Sequence, residues 1–167
     1  MSTIQASGRL RPRVRFTMPS TVVLAVVVLV ALLVAPDVPA FAEVLLALAV
    51  VVACIAWHEG GHVLAAHALG FYVVEVRLGL LDSATVYEAD HRTAHDRVLC
   101  ALAGPAASLA LAAVLGTLAW AQGSDLSSPT AASSLAVLNL VVAVANLVPF
   151  KGTDGWEVLA GLRGRSE

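Results

Sequence analysis

Four long apolar blocks constrain this chain more than any other feature. They run from about Phe16 to Ala35, Ala40 to Leu69, Val98 to Ala121 and Ala131 to Val148. A helix needs roughly 20 apolar residues to cross the hydrocarbon core of a bilayer, and each block approaches or exceeds that length. The second block would be about 45 Å long as a helix, so we expect it to extend to the interface or to break near its end. The pattern predicts a membrane protein with four spans.

The composition agrees with that prediction. Hydrophobic residues make up 59% of the 167 residues and charged residues 13%, and the mean hydropathy is +0.84. A water-soluble domain needs more charge to cover its surface. The net charge of −2 gives no reason to expect a nucleic-acid partner. Cys54 and Cys100 lie in apolar blocks without metal-site or disulfide spacing, so we expect small buried hydrophobic side chains.

The basic residues lie in alternate connections between the blocks. All ten precede the first block, separate the second from the third, or follow the fourth. They are Arg9, Arg11, Arg13, Arg15, Arg77, Arg92, Arg97, Lys151, Arg163 and Arg165. By the positive-inside rule, both termini and the 70–97 loop are expected to be cytoplasmic, in the cell membrane. The alternative, a first block that is a cleaved signal peptide, leaves this distribution harder to explain.

The 70–97 loop differs in texture from the blocks around it. FYVVEVRLGL and ATVYEA are rich in β-branched and aromatic residues, which predicts a β-hairpin over about 71–89. An open strand edge is not tolerated in hydrocarbon, so we place the hairpin at the interface. The predicted fold is an all-α polytopic membrane protein with about four transmembrane helices and this membrane-associated hairpin between spans two and three. A basic segment (1–15) precedes the core (16–158), and a tail (159–167) follows.

The second block contains the pattern H-E-x-x-H at His58, Glu59 and His62. Residues i and i+4 share one face of a helix, so both imidazoles can bind one metal ion while Glu59 reaches a water on it. Zinc lowers the pKa of such a water, and a carboxylate can take its proton. Ionisable groups in a membrane helix are costly and usually functional, which favours a metal site over an ordinary buried pair. Gly60 and Gly61 would let another backbone or a substrate come close.

Two histidines leave zinc short of a third protein ligand, which must come from another span. Asp154 is the best candidate, because it follows the fourth block at the end that also meets the end of the second. Pro149, Gly152 and Gly155 surround it and allow the backbone to turn the carboxylate inward. A plain turn aspartate is the alternative. Other polar residues are expected to stay outside the site: His67, His91, His95 and Asp96.

These motifs resemble the site-2 protease family of intramembrane zinc metalloproteases, in its short prokaryotic form. HEGGH on one span is followed on a later span by N-x-x-P-x-x-x-x-D-G, at Asn146, Pro149, Asp154 and Gly155. Gly104-Pro105, in ALAGPAASLA, is similar to the Gly-Pro motif of the family. The resemblance covers about 44–158.

The resemblance implies an activity and a role for each matched residue. His58, His62 and Asp154 would bind one zinc ion per chain, with Glu59 as general base, and Asn146 is a candidate substrate-binding residue. The implied reaction is hydrolysis of peptide bonds within or near the transmembrane segments of single-pass membrane proteins, known as regulated intramembrane proteolysis. The hairpin would hold the unwound substrate as an added strand.

Two departures from the family keep other functions open. Ser108 stands where the family commonly has asparagine, which weakens the expectation that this position orients substrate or oxyanion. The chain is also a near-minimal core, so we expect gating by a partner or by self-association. An inactive relative that binds membrane partners is the main alternative. A midplane metal transporter is a third reading, although it would need more polar residues in the first and third blocks.

Overall fold

The computed structural model describes residues 12–35, 37–79, 83–87, 93–124 and 130–163. Its elements follow the order β1 (Arg13–Phe16), α1 (Met18–Val34), α2 (Val38–Ala68), β2 (Val73–Leu78), β3 (Ala84–Tyr87), α3 (Ala94–Ala121), α4 (Ala131–Leu147) and α5 (Asp154–Leu162). The chain is mostly helical with one small sheet, as expected. Some features of the sequence lie outside the described residues: Arg9, Arg11, Arg92, Arg165, His91 and most of the polar turn between the third and fourth blocks.

The four apolar blocks form α1 to α4. The second block does not break, because α2 continues for 31 residues through both glycines. At its start the Asp37 carboxylate accepts a hydrogen bond of 2.8 Å from the Ala40 amide, which satisfies one of the free N–H groups of the first turn. α2 and α3 are long and apolar enough to cross a membrane, whereas α1 and α4 are apolar helices of 17 residues each.

Exposure separates α2 and α3 from the core helices of a soluble protein. Only 6% of the most apolar stretch of α2 is buried, and 28% of that of α3. A helix that is apolar on every side is normally buried in a core or surrounded by lipid. Because these two helices expose most of their apolar surface, lipid is the environment that fits them, and the chain has the properties of a membrane protein.

The sheet contains the predicted hairpin and one strand that was not predicted. β2 and β3 pair antiparallel, with Val76 opposite Thr85. β1 pairs parallel with β2, from Arg13 opposite Glu75 to Phe16 opposite Leu78, so the basic N-terminal segment contributes to the sheet. The order β1-β2-β3 leaves the outer edge of β3 without a strand partner among the described residues.

The buried residues of α2 form one stripe, which faces α3 at its two histidines and α4 and the sheet elsewhere. They are Cys54, His58, Glu59, His62 and Ala66. Close approach of the two helices depends on Gly61, where a Cβ would lie 2.5 Å from the Ala103 carbonyl oxygen and 2.8 Å from the Ala107 Cβ. A Cβ at Gly60 would meet nothing within 4 Å. Of the two glycines, only Gly61 has the packing role expected from the sequence.

Candidate metal centre

Three side chains from two distant parts of the chain converge at the middle of the α2 stripe. His58 Nε2 lies 3.0 Å from Asp154 Oδ2, and His62 Nε2 lies 3.2 Å from Asp154 Oδ1. The two Nε2 atoms are 3.3 Å apart. Donor atoms around a tetrahedral zinc ion, with bonds of about 2.0–2.1 Å, lie about 3.3 Å from one another. The spacing of these three donors therefore fits one zinc ion.

Asp154 reaches the histidines because of the turn between α4 and α5. Gly152 has a φ of +94°, a conformation that glycine adopts without strain. The Thr153 hydroxyl donates to the Val148 and Phe150 carbonyls, at 2.6 and 2.8 Å, and ties the turn to the end of α4. A Cβ at Gly155 would overlap the Leu147 carbonyl, so glycine allows α5 to begin directly against α4. The turn thus directs the first residue of α5 towards α2.

The two histidines favour the ionised form of the Asp154 carboxyl. Burial raises the pKa of Asp154, but the imidazoles of His58 and His62 outweigh burial and hold that pKa below its usual value. A carboxyl must be deprotonated to bind a metal ion. The surroundings of Asp154 therefore favour the protonation state that a ligand needs.

Each histidine ring is oriented by a contact at its other nitrogen. His62 Nδ1 lies 2.7 Å from the Cys100 carbonyl oxygen. Because a carbonyl only accepts, Nδ1 carries the proton and the lone pair of the neutral ring is on Nε2. His58 Nδ1 lies 3.1 Å from the hydroxyl oxygen of Ser108, which is fully buried. Partners of this kind fix the ring orientation and tautomer of metal-binding histidines.

Ser108 thus has a contact that the sequence analysis did not find. The available signal was its position four residues after Gly104, on the same face of α3. Gly104 itself lies against both rings: a Cβ there would overlap His62 Nε2 and lie 2.7 Å from His58 Nε2. The Gly-Pro motif therefore begins with a residue whose lack of a side chain makes room for the paired imidazoles.

Glu59 is a second acidic candidate beside the histidines. Its carboxylate and the two imidazoles have ligand atoms within 4.8 Å of one another, whereas the Asp154 oxygens lie at 3.0 and 3.2 Å from the Nε2 atoms. Glu59 Oε2 also accepts a hydrogen bond of 2.7 Å from the Thr85 hydroxyl. The shorter distances favour Asp154 as third ligand and leave Glu59 beside the site. Thr85 is another residue that the sequence analysis missed.

A cavity of about 360 Å³ opens next to this cluster. Glu59, His62, Asp154 and the whole of β3 line it, together with Asn146. Asn146 is partly buried, and its amide group donates to the Val142 carbonyl of its own helix at 2.9 Å. Volumes of this size are typical of binding sites for small ligands or short peptide segments. The cluster is therefore accessible to a substrate.

Of the other polar residues of the sequence analysis, those that the structure describes lie outside the cluster. His67 is exposed near the end of α2. Asp96 accepts hydrogen bonds from the backbone and hydroxyl of Thr93 in the capping box of α3, and His95 is exposed beside it. Cys54 and Cys100 are free and buried, as expected.

Comparison with known proteins supports the fold independently of these distances. No protein-family model and no curated protein matches the sequence. Among solved structures, the site-2 protease from Methanocaldococcus jannaschii matches 89% of this chain with a TM-score of 0.70 and 18% sequence identity. The chain spans 65% of the length of that protein. At this identity the likeness concerns the fold, and the chain has the fold of a site-2 protease.

Proposed function

We propose that this protein is an intramembrane zinc endopeptidase that cuts single-pass membrane proteins within or near their spans. The observation that carries the proposal is the close approach of two imidazoles and one carboxylate, with nitrogen–oxygen and nitrogen–nitrogen distances of 3.0 to 3.3 Å, beside the buried Glu59 and a cavity. Such a set, in the fold of a site-2 protease, suits hydrolysis of a peptide bond.

Each side chain has a distinct role in the proposed reaction. His58, His62 and Asp154 hold the zinc ion. Zinc, when bound, lowers the pKa of its water and polarises the carbonyl that is attacked. Glu59 lines the cavity, and no hydrogen bond from a described residue reaches its Oε1 atom. Glu59 therefore accepts the proton of the attacking water at Oε1 and passes it to the leaving nitrogen.

The substrate would bind as an extended strand. A helical span hides its peptide bonds, so the segment to be cut must unwind first. The outer edge of β3 has no strand partner among the described residues, and β3 lines the cavity beside Glu59. An extended peptide can pair with such an edge. Asn146, elsewhere on the cavity wall, is the proposed side-chain contact to that peptide.

The proposed membrane arrangement has four spans, α1 to α4, in the cell membrane. α1 and α4, at 17 residues each, are about 26 Å long, and slight thinning of a bilayer accommodates spans of that length. The sheet and α5 lie at the His62 end of α2. The distribution of basic residues places that end and both termini on the cytoplasmic side. A gating partner or self-association is the proposed means of control.

A pair of matched variants tests the proposal. Glu59→Gln removes the base and keeps the shape of the side chain, so it should retain zinc and lose cleavage by about 1000-fold or more. Glu43→Gln makes the same change at an exposed position on the same helix and should leave both properties unchanged. Zinc is measured by mass spectrometry, and cleavage on single-pass reporter proteins produced in the same cells.

His62→Ala completes the design, since it should lose zinc and cleavage together. Zinc bound by wild type with equal processing by wild type and Glu59→Gln would contradict a protease and favour the alternative, a membrane-embedded binding protein. Full zinc occupancy in His62→Ala and in Asp154→Ala would contradict the assignment of the ligands.

A further inference from the structure

The buried base of the proposed reaction is held by one residue of the sheet. Thr85, in β3, donates its hydroxyl hydrogen to Glu59 Oε2 over 2.7 Å. We infer that Thr85 is a positioning residue for Glu59, one that keeps Oε1 directed at the reacting atoms and ties the base to the strand on which substrate lies. This inference rests on the proposed function and adds a residue to it.

Burial makes this hydrogen bond important for Glu59. The residue is 2% exposed, and a buried carboxylate needs donors to replace lost water. Among the described residues, Thr85 supplies the only hydrogen bond to the Glu59 carboxylate. The distance of 2.7 Å is that of a well-formed hydroxyl hydrogen bond. Without Thr85 the carboxylate would be free to rotate or to turn towards another donor.

The position of Thr85 is itself set by the helix that carries Glu59. Thr85 is paired with Val76 across the hairpin. Val76 is buried in an apolar cluster with Ala66 of α2, two turns beyond Glu59. α2 packs on β2, β2 pairs with β3, and β3 contacts α2 again through Thr85 and Glu59. These contacts form a closed loop. Such a loop fixes the distance between hydroxyl and carboxylate, as an aligned base requires.

The contact also places the base beside the substrate strand. The outer edge of β3 has no strand partner in the part of the chain that the structure describes, and all four residues of β3 line the cavity. A peptide added along that edge would order β3 and hold the Thr85 hydroxyl on Glu59. Because Thr85 acts on the base and not on the peptide, its loss should lower kcat and leave KM nearly unchanged.

The test compares Thr85→Val, which removes the donor at nearly constant shape, with Thr85→Ser, which keeps it. The full-length protein is reconstituted in vesicles with a fluorogenic peptide, whose Ala/Leu span is interrupted by glycine and flanked by lysine. We expect Thr85→Val to lower kcat about tenfold, with KM changed less than about twofold and zinc content unchanged. Thr85→Ser should recover most of kcat. Thr117→Val removes a hydroxyl bonded to its own helix and should have no effect.

Several outcomes would overturn the inference. Equal kcat in Thr85→Val and wild type would do so, as would a change in KM alone, which would indicate contact with substrate. A higher kcat in Thr85→Val would mean that the contact restrains the base. A Thr85→Ser variant as slow as Thr85→Val would indicate a role in strand packing.

Failure of the proposed function gives a different result, namely full cleavage of the peptide by Glu59→Gln. If wild type does not cut the peptide, thermal unfolding of Thr85→Val, Glu59→Gln and the double variant still measures the contact. Additive effects of the two substitutions on unfolding would then overturn the inference, whereas coupling between them supports it.

Discussion

The two halves of α2 have similar apolar sequences and very different environments. From Val38 to Ala53 no residue is buried, although nearly every side chain is apolar. From Cys54 to Ala68 five residues are buried, and three of them are His58, Glu59 and His62. In a soluble protein the apolar half would be the buried one. The reversal follows from the solvent, because lipid accepts apolar side chains and excludes ionisable ones.

The comparison shows where this helix contacts the rest of the protein. Its buried stripe repeats every four residues at Cys54, His58, His62 and Ala66, the spacing of one helix face. That stripe contacts α3, α4 and the sheet, whereas no residue in the other half of α2 is buried. Substitutions in or against the stripe should therefore have large effects, and equivalent substitutions in the exposed half should have small ones.

The largest effect is expected where an atom added on α3 presses on the two histidines of the α2 stripe. Gly104→Ala puts a Cβ against the Nε2 atoms of both histidines, so zinc affinity should fall by about 100-fold or more, since close-packed sites tolerate little extra volume. Gly116→Ala is the matched control on α3, where a Cβ meets nothing within 4 Å. Competition with a fluorescent chelator measures the zinc affinity of both variants. Equal affinities in the two variants would mean that α3 does not press on the rings.

The next largest effect is expected from loss of the contact that orients the His58 ring. Ser108→Ala removes the partner of His58 Nδ1, and loss of such a partner typically weakens metal binding by about 10- to 100-fold. Ser134→Ala, at an exposed position of α4, should leave zinc affinity unchanged. The same chelator titration applies. Wild-type affinity in Ser108→Ala would show that the hydroxyl does not orient the ring.

The two adjacent glycines of the HEGGH motif lie on different faces of α2: Gly61 faces α3, and Gly60 faces open space. Gly61→Ala should destabilise the protein by about 1–3 kcal/mol, because a Cβ would press on the Ala103 carbonyl and on Ala107. Gly60→Ala has open space and should stabilise the helix by up to about 1 kcal/mol. Unfolding in mixed micelles compares the two variants. Destabilisation by Gly60→Ala of the same size would contradict the described α2–α3 contact.

The smallest effect is expected in the exposed half. Leu46 is 66% exposed, so Leu46→Ala should change the free energy of unfolding by no more than about 0.5 kcal/mol. Ala66→Leu, at a fully buried position of the other half, should cost about 1–3 kcal/mol. Unfolding in the same micelles measures both. A loss at Leu46 as large as that at Ala66 would mean that the N-terminal half of α2 has a protein partner.

The sequence predicted the helices and the histidine pair well, because both depend on short-range patterns. Apolar length sets a span, and spacing of four sets a helix face, so α2 to α4 lie within a few residues of the predicted blocks. The β2–β3 hairpin is confirmed for the same reason. β1 was not predicted, although its four residues alternate between arginine and an apolar side chain, because so short a pattern is a weak signal next to a long apolar block. Its pairing with β2 depends on residues about 60 positions away.

By itself the sequence determined that the chain suits a lipid environment and that one helix carries two imidazoles and a carboxylate. It proposed Asp154 from its turn after the fourth block and from the family resemblance, but only the tertiary structure brought that carboxylate within 3.0 Å of His58 across 96 residues. The tertiary structure also decided the partners of the site, Ser108 on His58 and Thr85 on Glu59. The physical reason is that periodicity is a property of neighbours along the chain. A hydrogen bond between elements depends instead on how α3, the sheet and the turn before α5 pack against α2.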